Sequence, residues 1–538
     1  MRFNQLASPV LAVLVGSVAA TWETNGRSCP EKPVVSSVSS ATKTIAQSIT
    51  KSATRPLTPS STSASSPAVL DVDLVVIGGG SAGIHAAIQL KDAGAKVIVI
   101  EKKNQIGGHA ETFYAPGGVP INAGVAIFQN STVVSDYFSR LNVSSTLFNP
   151  ATDVPPGTPA ATQYDFSLGF PIPAQNASTT QAQNLAIAAA AQSYTINVLT
   201  KYPWIDAGFL VPDPVPAELL LTFGELAKKY SFEPLLPVIA QYNWFTGDIS
   251  TIPALYGVKG LGPALLSSIF GKFIIASSGD TRDLYVAAAK ELGDSILLGS
   301  TILSVKRTVK TGKTTTGVTI LVAQPGQAPK LIRAKKLLVA IPQTMNNIGT
   351  YDISGDERDI FSKFTALGYW AYVVAIPGLT NSVTNVGVQT PYNQSVIPGP
   401  ANFQASSAPG YFTSAVGFND LNYTEESSKA VIRNDLSRLE AVGGVPRGSS
   451  AAVKFPFSSD HRPYCLRVSA NDIKKGFYKK LLGLQGKRNT YWAGAAFSGH
   501  NSGLVWNFNV GTIVPALKKD LGFDAGKEAE KRNDSLTH

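Results

Sequence analysis

Residues 75–109 read VVIGGGSAGIHAAIQLKDAGAKVIVIEKKNQIGGH, and this stretch decides the fold. An apolar run over 72–77 ends in glycine, as a buried parallel strand does. A helical pattern follows over 81–93, with Ile84, Ala87, Ile88 and Leu90 on one face and Gly94 as its stop. A second apolar run, 96–100, closes on Glu101. The unit is strand, helix, strand.

Its glycines have separate tasks. Gly78 permits the tight turn, Gly80 lets backbone approach a diphosphate, and Gly83 lets the helix pack close to the strand. The helix start, with Ser81 and Ala82, offers free N–H groups and a positive dipole end. Glu101 stands eighteen residues after Gly83, placed to bind ribose hydroxyls. A second glycine pair, Gly107–Gly108, lies just beyond the acid with Lys102 and His109 beside it. It suits the longer of the two common dinucleotides, FAD, whose flavin runs past the first loop.

The rest of the chain frames this unit. Of 538 residues, 44% are hydrophobic and 15% charged, a globular composition with room for more than one domain. Forty-six Lys plus Arg against 36 Asp plus Glu leave a net charge of +10. The basic residues come singly or in pairs, so no nucleic-acid footprint is expected. Arg2, an apolar stretch over 6–18 and SVAA at 17–20 read as a signal peptide, too short for a stable membrane span. Six N-x-[ST] sites (Asn130, Asn142, Asn176, Asn393, Asn422 and Asn533) are consistent with a secreted glycoprotein. The cysteines are Cys29 and Cys465 alone. One bridge or two free thiols are both open.

Composition and pattern divide the chain into a signal peptide (1–20), a Ser/Thr-rich leader (21–67) and a polar tail (525–538). Cofactor-type segments fall at 68–140, 276–345 and 484–524, with substrate-type insertions at 141–275 and 346–483. Helices are expected over 180–199, 216–229, 232–242, 263–273 and 284–292, and a short strand over 296–298. Strands over 302–307 and 317–323 are expected to pair, and another is expected over 336–341. No internal repeat, metal-ligand spacing or nucleophile triad stands out.

Several stretches carry a family resemblance. The segment with Gly107, Gly108 and His109 resembles the extended flavin signature of the flavin-containing amine oxidase superfamily. There an Arg commonly follows the glycine pair, so that Arg's role does not carry over to His109. GDSILLGSTILSVKRT resembles the superfamily's middle flavin segment and NTYWAGAAFSGHNSGLVWNFNVG its C-terminal flavin motif. LTFGELAKKYSFEPLLPVI, RPYCLRVS and GFYKKLLGLQGKRNTYWAGAAF look like the β-cyclopiazonate dehydrogenase-like branch.

The resemblance implies an α/β fold: a Rossmann-type FAD-binding domain interrupted by an α+β substrate domain, the amine oxidase-like two-domain architecture. Ile302 would meet the adenine, Gly494 and Ala495 the ribityl phosphate region. A helix starting near Gly503–Leu504 would point at the flavin. The implied activity is a secreted FAD-dependent oxidoreductase with a small-molecule substrate and O₂ as electron acceptor. A flavin-bound isomerase or cyclase, and a flavin binder without activity, are the alternatives.

The catalytic residues are not assigned. His109 is read as a contact to diphosphate or flavin, a covalent attachment point, or a loop histidine. His500 is read as a proton acceptor or a loop residue, and Trp506 as core or active-site wall. Tyr242, Trp244, Phe245 and Tyr256 are candidates for lining the pocket.

Overall fold

The computed structural model describes residues 68–150, 152–153, 158–242, 247–311 and 314–523. The signal, the leader, Cys29, Trp244, Phe245 and the tail lie outside the described residues.

Eighteen elements matter for the site. In chain order they begin with β1 (Ala68–Ile77), α1 (Ser81–Asp92), β2 (Val97–Ile100) and α2 (Ala177–Asn197). Then come α3 (Phe223–Lys229), α4 (Leu236–Tyr242), α5 (Ala254–Gly260) and α6 (Pro263–Phe270). Strands follow: β3 (Ile296–Leu297), β4 (Thr301–Thr311), β5 (Thr314–Ala323), β6 (Lys330–Val339) and β7 (Thr365–Ala375). The last are β8 (Val383–Asn385), β9 (Asn402–Ala405), β10 (Tyr411–Phe418), β11 (Thr490–Trp492) and α7 (Ser502–Phe508).

One sheet gathers strands from distant parts of the chain, in the order β4-β5-β6-β1-β2-β3, with β11 beside the end of β6. β1 is central. It pairs in parallel with β6 from Ala68↔Lys330 to Ile77↔Val339, and with β2 from Leu74↔Val97 to Ile77↔Ile100. β2 pairs in parallel with β3 and β6 with β11. These five strands therefore end at one edge, where ligands of open α/β sheets bind. Strands β4 and β5 pair antiparallel as expected, with Ile302 opposite Val322 and Arg307 opposite Val318.

A second sheet contains β7, β10, β9 and β8 as neighbours in that order. Alternation gives it two unlike faces. Trp370, Tyr372, Val374, Phe403 and Val416 pack with Ile432, Leu436 and Leu439 in an apolar core. The opposite face carries Tyr369, Ala371, Ala415 and, farther along, Thr413, Gln404, Asn402 and Thr384.

Several helices are shorter than their periodicity suggested. The stretch 216–229 is a 3₁₀ turn, Ala217–Leu220, followed by α3, because Thr222 and Glu225 form a reciprocal capping box that starts a new helix. Likewise 232–242 divides into Glu233–Leu235 and α4. The helix expected over 263–273 stops at Phe270. Phe273 opens the strand Phe273–Ala276, which pairs with Ser145–Phe148, as its β-branched FIIA sequence favours. α2, by contrast, is shifted rather than shortened, running from Ala177 to Asn197 where 180–199 was expected. Among the described residues no helix is long and apolar enough to cross a membrane.

Candidate active site

The shared edge of the first sheet opens on a cavity of about 980 Å³, at the upper end for small-molecule sites. Its wall includes Gly78 after β1, Glu101 after β2, Ser300 after β3, Ala340 after β6 and Gly494 after β11. Each of the five parallel strands thus delivers a residue to it.

Backbone builds the cradle. Gly78 has φ +108°, a region closed to most side chains, and its N–H donates to the Ile100 carbonyl at 2.9 Å. Gly107 donates to the Gly79 carbonyl at 2.8 Å, which brings the two glycine loops together. A Cβ on Gly108 would lie 3.0 Å from the Gly80 Cα. Gly80 is the N-cap of α1 and supplies no capping side chain, so the first N–H groups of the helix face the cavity unclaimed. Glu101 accepts from the Gly79 N–H at 2.7 Å and the Lys103 N–H at 2.8 Å. Each oxygen keeps a lone pair for a sugar hydroxyl.

Gly78, Gly80, Ser81, Ala82, Glu101, Lys102, Gly107, Gly108, His109, Ile302, Gly494 and Ala495 all line the cavity. Gly83 does not. It packs α1 against the turn, where a Cβ would come within 2.0 Å of the Gly78 carbonyl oxygen. Gly503 and Leu504 are also off this wall. The Asn501 side chain caps α7 by accepting from the Gly503 N–H at 2.8 Å, so that donor cannot point at a ligand. Ser502 and Val505 line the cavity instead, and Leu504 faces a smaller chamber beside it.

Three of the five histidines stand on the wall: His109, His461 and His500. The His109 and His461 rings stack 4.0 Å apart and 7° from parallel. His461 Nε2 lies 3.0 Å from Glu111 Oε2, and Glu111 Oε1 accepts from Lys103 Nζ at 2.6 Å. Burial raises the Glu111 pKa, but the hydrogen bonds from His461, Lys103 and Ser459 outweigh it and hold it at about 2. A carboxylate in that state only accepts, so His461 Nε2 carries the proton and Nδ1 keeps its lone pair. Burial lowers the His461 pKa below the ordinary imidazole value, against the pull of Glu111. Burial and the neighbouring histidines hold His109 neutral as well. His500 is pushed down to about 4 by burial. Its ring lies 4.4 Å from that of Tyr464, and its Nε2 has no hydrogen-bond partner.

Sequence reasoning missed His461, Glu111 and Lys103. Glu111 and His461 are 350 positions apart, and neither sits in a spaced motif. Trp506 is core: fully buried, it stacks on His85 and Phe128 and donates to the Ser81 carbonyl at 3.2 Å. Tyr256 belongs to the smaller chamber, where its hydroxyl accepts from the Val468 N–H at 2.7 Å. Tyr242 closes α4. Among the described residues Cys465 has no cysteine partner, and burial raises its thiol pKa to about 12. Among the described residues no group of three or more His, Cys, Asp or Glu side chains is placed to hold a metal.

Residues 76–141 match the NAD(P)-binding Rossmann-like domain. The FAD-dependent oxidoreductase dpchF of Colletotrichum higginsianum is 56% identical over 86% of this chain and 96% of its own length. β-Cyclopiazonate dehydrogenase of Aspergillus oryzae is 32% identical over 81% of this chain and 91% of its own.

The chain belongs to this family of FAD-dependent oxidoreductases.

Solved structures share the fold. A fatty acid isomerase from P. acnes matches with TM-score 0.65 at 19% identity, over 82% of this chain and 98% of that one. Cyclohexylamine oxidase from Brevibacterium oxydans matches with TM-score 0.55 at 15% identity, over 84% and 99%. The oxidoreductase thus has the Rossmann-type, amine oxidase-like architecture, and FAD is its cofactor. The cradle fits that group. Gln343 Oε1 is buried there without a partner, as a group awaiting a ligand is.

Proposed function

We propose that this oxidoreductase removes a hydride from a carbon of a small, mostly apolar metabolite, from a C–H bond that either adjoins nitrogen, so that the C–N bond is oxidised, or does not, and that O₂ takes the electrons. Bound FAD supplies the hydride acceptor. The residues do the rest. The glycine loops and the start of α1 bind the diphosphate, Glu101 the ribose, and Gly494 and Ala495 the ribityl side. The second sheet closes the chamber opposite and shields it from water. His461, held by Glu111 in one tautomer, takes a proton at Nδ1. The observation that carries this reading is one cavity with a backbone cradle on one wall and a neutral imidazole held by a carboxylate on another.

The N-terminal segment and the sequons support a secreted, glycosylated protein. The expected cell product therefore starts after residue 20, which N-terminal sequencing of secreted material checks.

The test of function is direct. The purified full chain should be yellow, and a substrate should bleach it without air and yield peroxide with air. Acid precipitation then separates dissociable from covalent flavin. A colourless protein that takes up no FAD overturns the reading. Turnover without O₂ uptake or peroxide turns it towards an isomerase or cyclase.

A further inference from the structure

The second sheet faces the cavity with more than packing. Thr384 on β8 and Asn402 on β9 are a directly opposed antiparallel pair. Side chains at such positions share one face. Gln404 follows two residues after Asn402 and is opposite Thr413 on β10, which extends the strip across three strands. All four line the cavity.

Thr384 and Asn402 are 3% and 6% exposed, yet Thr384 Oγ1 and Asn402 Oδ1 have no hydrogen-bond partner. Their strand neighbours Val383 and Phe403 point into the apolar core on the other face. Neither Thr384 nor Asn402 belongs to that core, and leaving their buried polar atoms unpaired is unfavourable. A ligand is the partner that resolves both. Together a hydroxyl and an amide present a donor and an acceptor side by side.

The charges of the wall limit what that ligand is. Among the described lining residues the carboxylates are Glu101 and Asp460. Glu101 holds the two backbone N–H groups of the cradle, and Asp460 is paired with Arg462 at 2.8 Å. Lys102, Lys103 and Arg462 also stand on the wall. Lys103 and Arg462 are already paired with Glu111 and Asp460, so a cationic ligand would meet no free carboxylate, and a buried charge without a counter-charge is strongly disfavoured.

We propose that Thr384 and Asn402 seat an uncharged group bearing a hydrogen-bond donor beside an acceptor, such as a hydroxyl next to a carbonyl. The substrate is then a neutral oxygenated molecule rather than an alkylammonium. The inference rests on reading the cavity as the substrate chamber.

Salicylamide and cyclohexylamine serve as probes. The first is uncharged near neutral pH and has a hydroxyl beside a carbonyl; the second is a cation. The FAD-loaded full chain is titrated with each, followed by the visible flavin spectrum and, in parallel, by thermal melting. Salicylamide binds and cyclohexylamine does not. T384V and N402L each weaken salicylamide about tenfold, with flavin spectrum and melting temperature preserved, while T384S keeps the affinity.

Three results overturn the proposal: cyclohexylamine binding as tightly as salicylamide, no response to salicylamide in either readout, or unchanged affinity in both T384V and N402L. A colourless protein still stabilised by salicylamide would sink the flavin reading instead and leave the seat standing.

Discussion

The two walls of the cavity are built from different material. On one, 32 consecutive residues from Gly78 to His109 supply most of the cradle, and apart from the Glu101 carboxylate they do so mainly through backbone: N–H groups, a turn at φ +108° and missing side chains. On the other, Thr384, Asn402, His461 and His500 come from four separate segments and act through side chains, with Glu111 behind His461. The first kind of site leaves its trace in local spacing, since glycines must recur where backbone approaches backbone or phosphate. The second leaves little trace until the chain is folded, and of these side chains only His500 is a candidate from the sequence.

The sharpest way to break this contrast is within the cradle, where two glycines have opposite reasons to be glycine. At Gly83 a Cβ would lie 2.0 Å from the Gly78 carbonyl oxygen, on backbone that cannot yield. At Gly80 the nearest atom is the Gly108 Cα at 3.6 Å, an ordinary contact. G83V is expected to cost upwards of about 4 kcal/mol and to leave little folded protein. G80A is expected to fold, with a melting temperature near that of the wild type without flavin, but to stay colourless because the methyl occupies diphosphate space. Circular dichroism and the visible spectrum check both. A yellow G80A protein would mean that the diphosphate lies elsewhere, and a stable G83V protein that α1 does not pack as described.

The legible part of the molecule follows the same division. The βαβ unit, the antiparallel pair β4–β5 and strand β6 were readable from apolar runs and turn residues. The helix breaks at Thr222 and Gly271 were not, because apolar periodicity runs through both: at Thr222 a reciprocal cap decides the boundary, and after Gly271 the pairing of Phe273–Ala276 with Ser145–Phe148 does. Gly503 and Leu504 illustrate the limit on the cofactor side. The helix was foreseen, but the Asn501 cap that removes the Gly503 donor depends on one rotamer. His461 was invisible as a site residue. Its role rests on a carboxylate 350 positions away and on a second ring stacked against it.

His461 gives the next prediction, which tests the side-chain wall. With a substrate that bleaches the wild-type flavin, H461N is expected to slow bleaching by about 10² while leaving the flavin spectrum unaltered. The neutral ring is the one that accepts a proton. Wild-type bleaching should therefore be flat above neutrality and fall on the acid side, at a pH below the ordinary imidazole value, since burial lowers the His461 pKa. Glu111 raises that pKa, so in E111Q the acid limb should move to still lower pH. The limb staying in place, or moving up, would show that Glu111 does not face the protonated ring.

The smallest expected effect concerns Lys259, behind the same wall. It lies on α5 and is 3% exposed, with its ammonium donating to the Ile205 carbonyl and 5.3 Å from the Phe209 ring centroid. Its carbon chain passes close to Gly499, where a Cβ would lie 3.2 Å from Lys259 Cε. Burial pushes its pKa down to about 7, only partly offset by Asp206. The unfolded chain keeps a value near 10.5, so between pH 7 and 10.5 the unfolded state binds more protons than the folded one. Stability must then rise with pH across that window, by about 2 kcal/mol from pH 7 to pH 9. Below pH 7 both states are protonated and the slope from this group vanishes. K259M removes the term, and its urea-unfolding free energy should lose that gain between the two pH values relative to wild type. Equal pH slopes in the two proteins would mean that the ammonium is solvated after all. The side-chain wall would then be wetter than the cradle it faces.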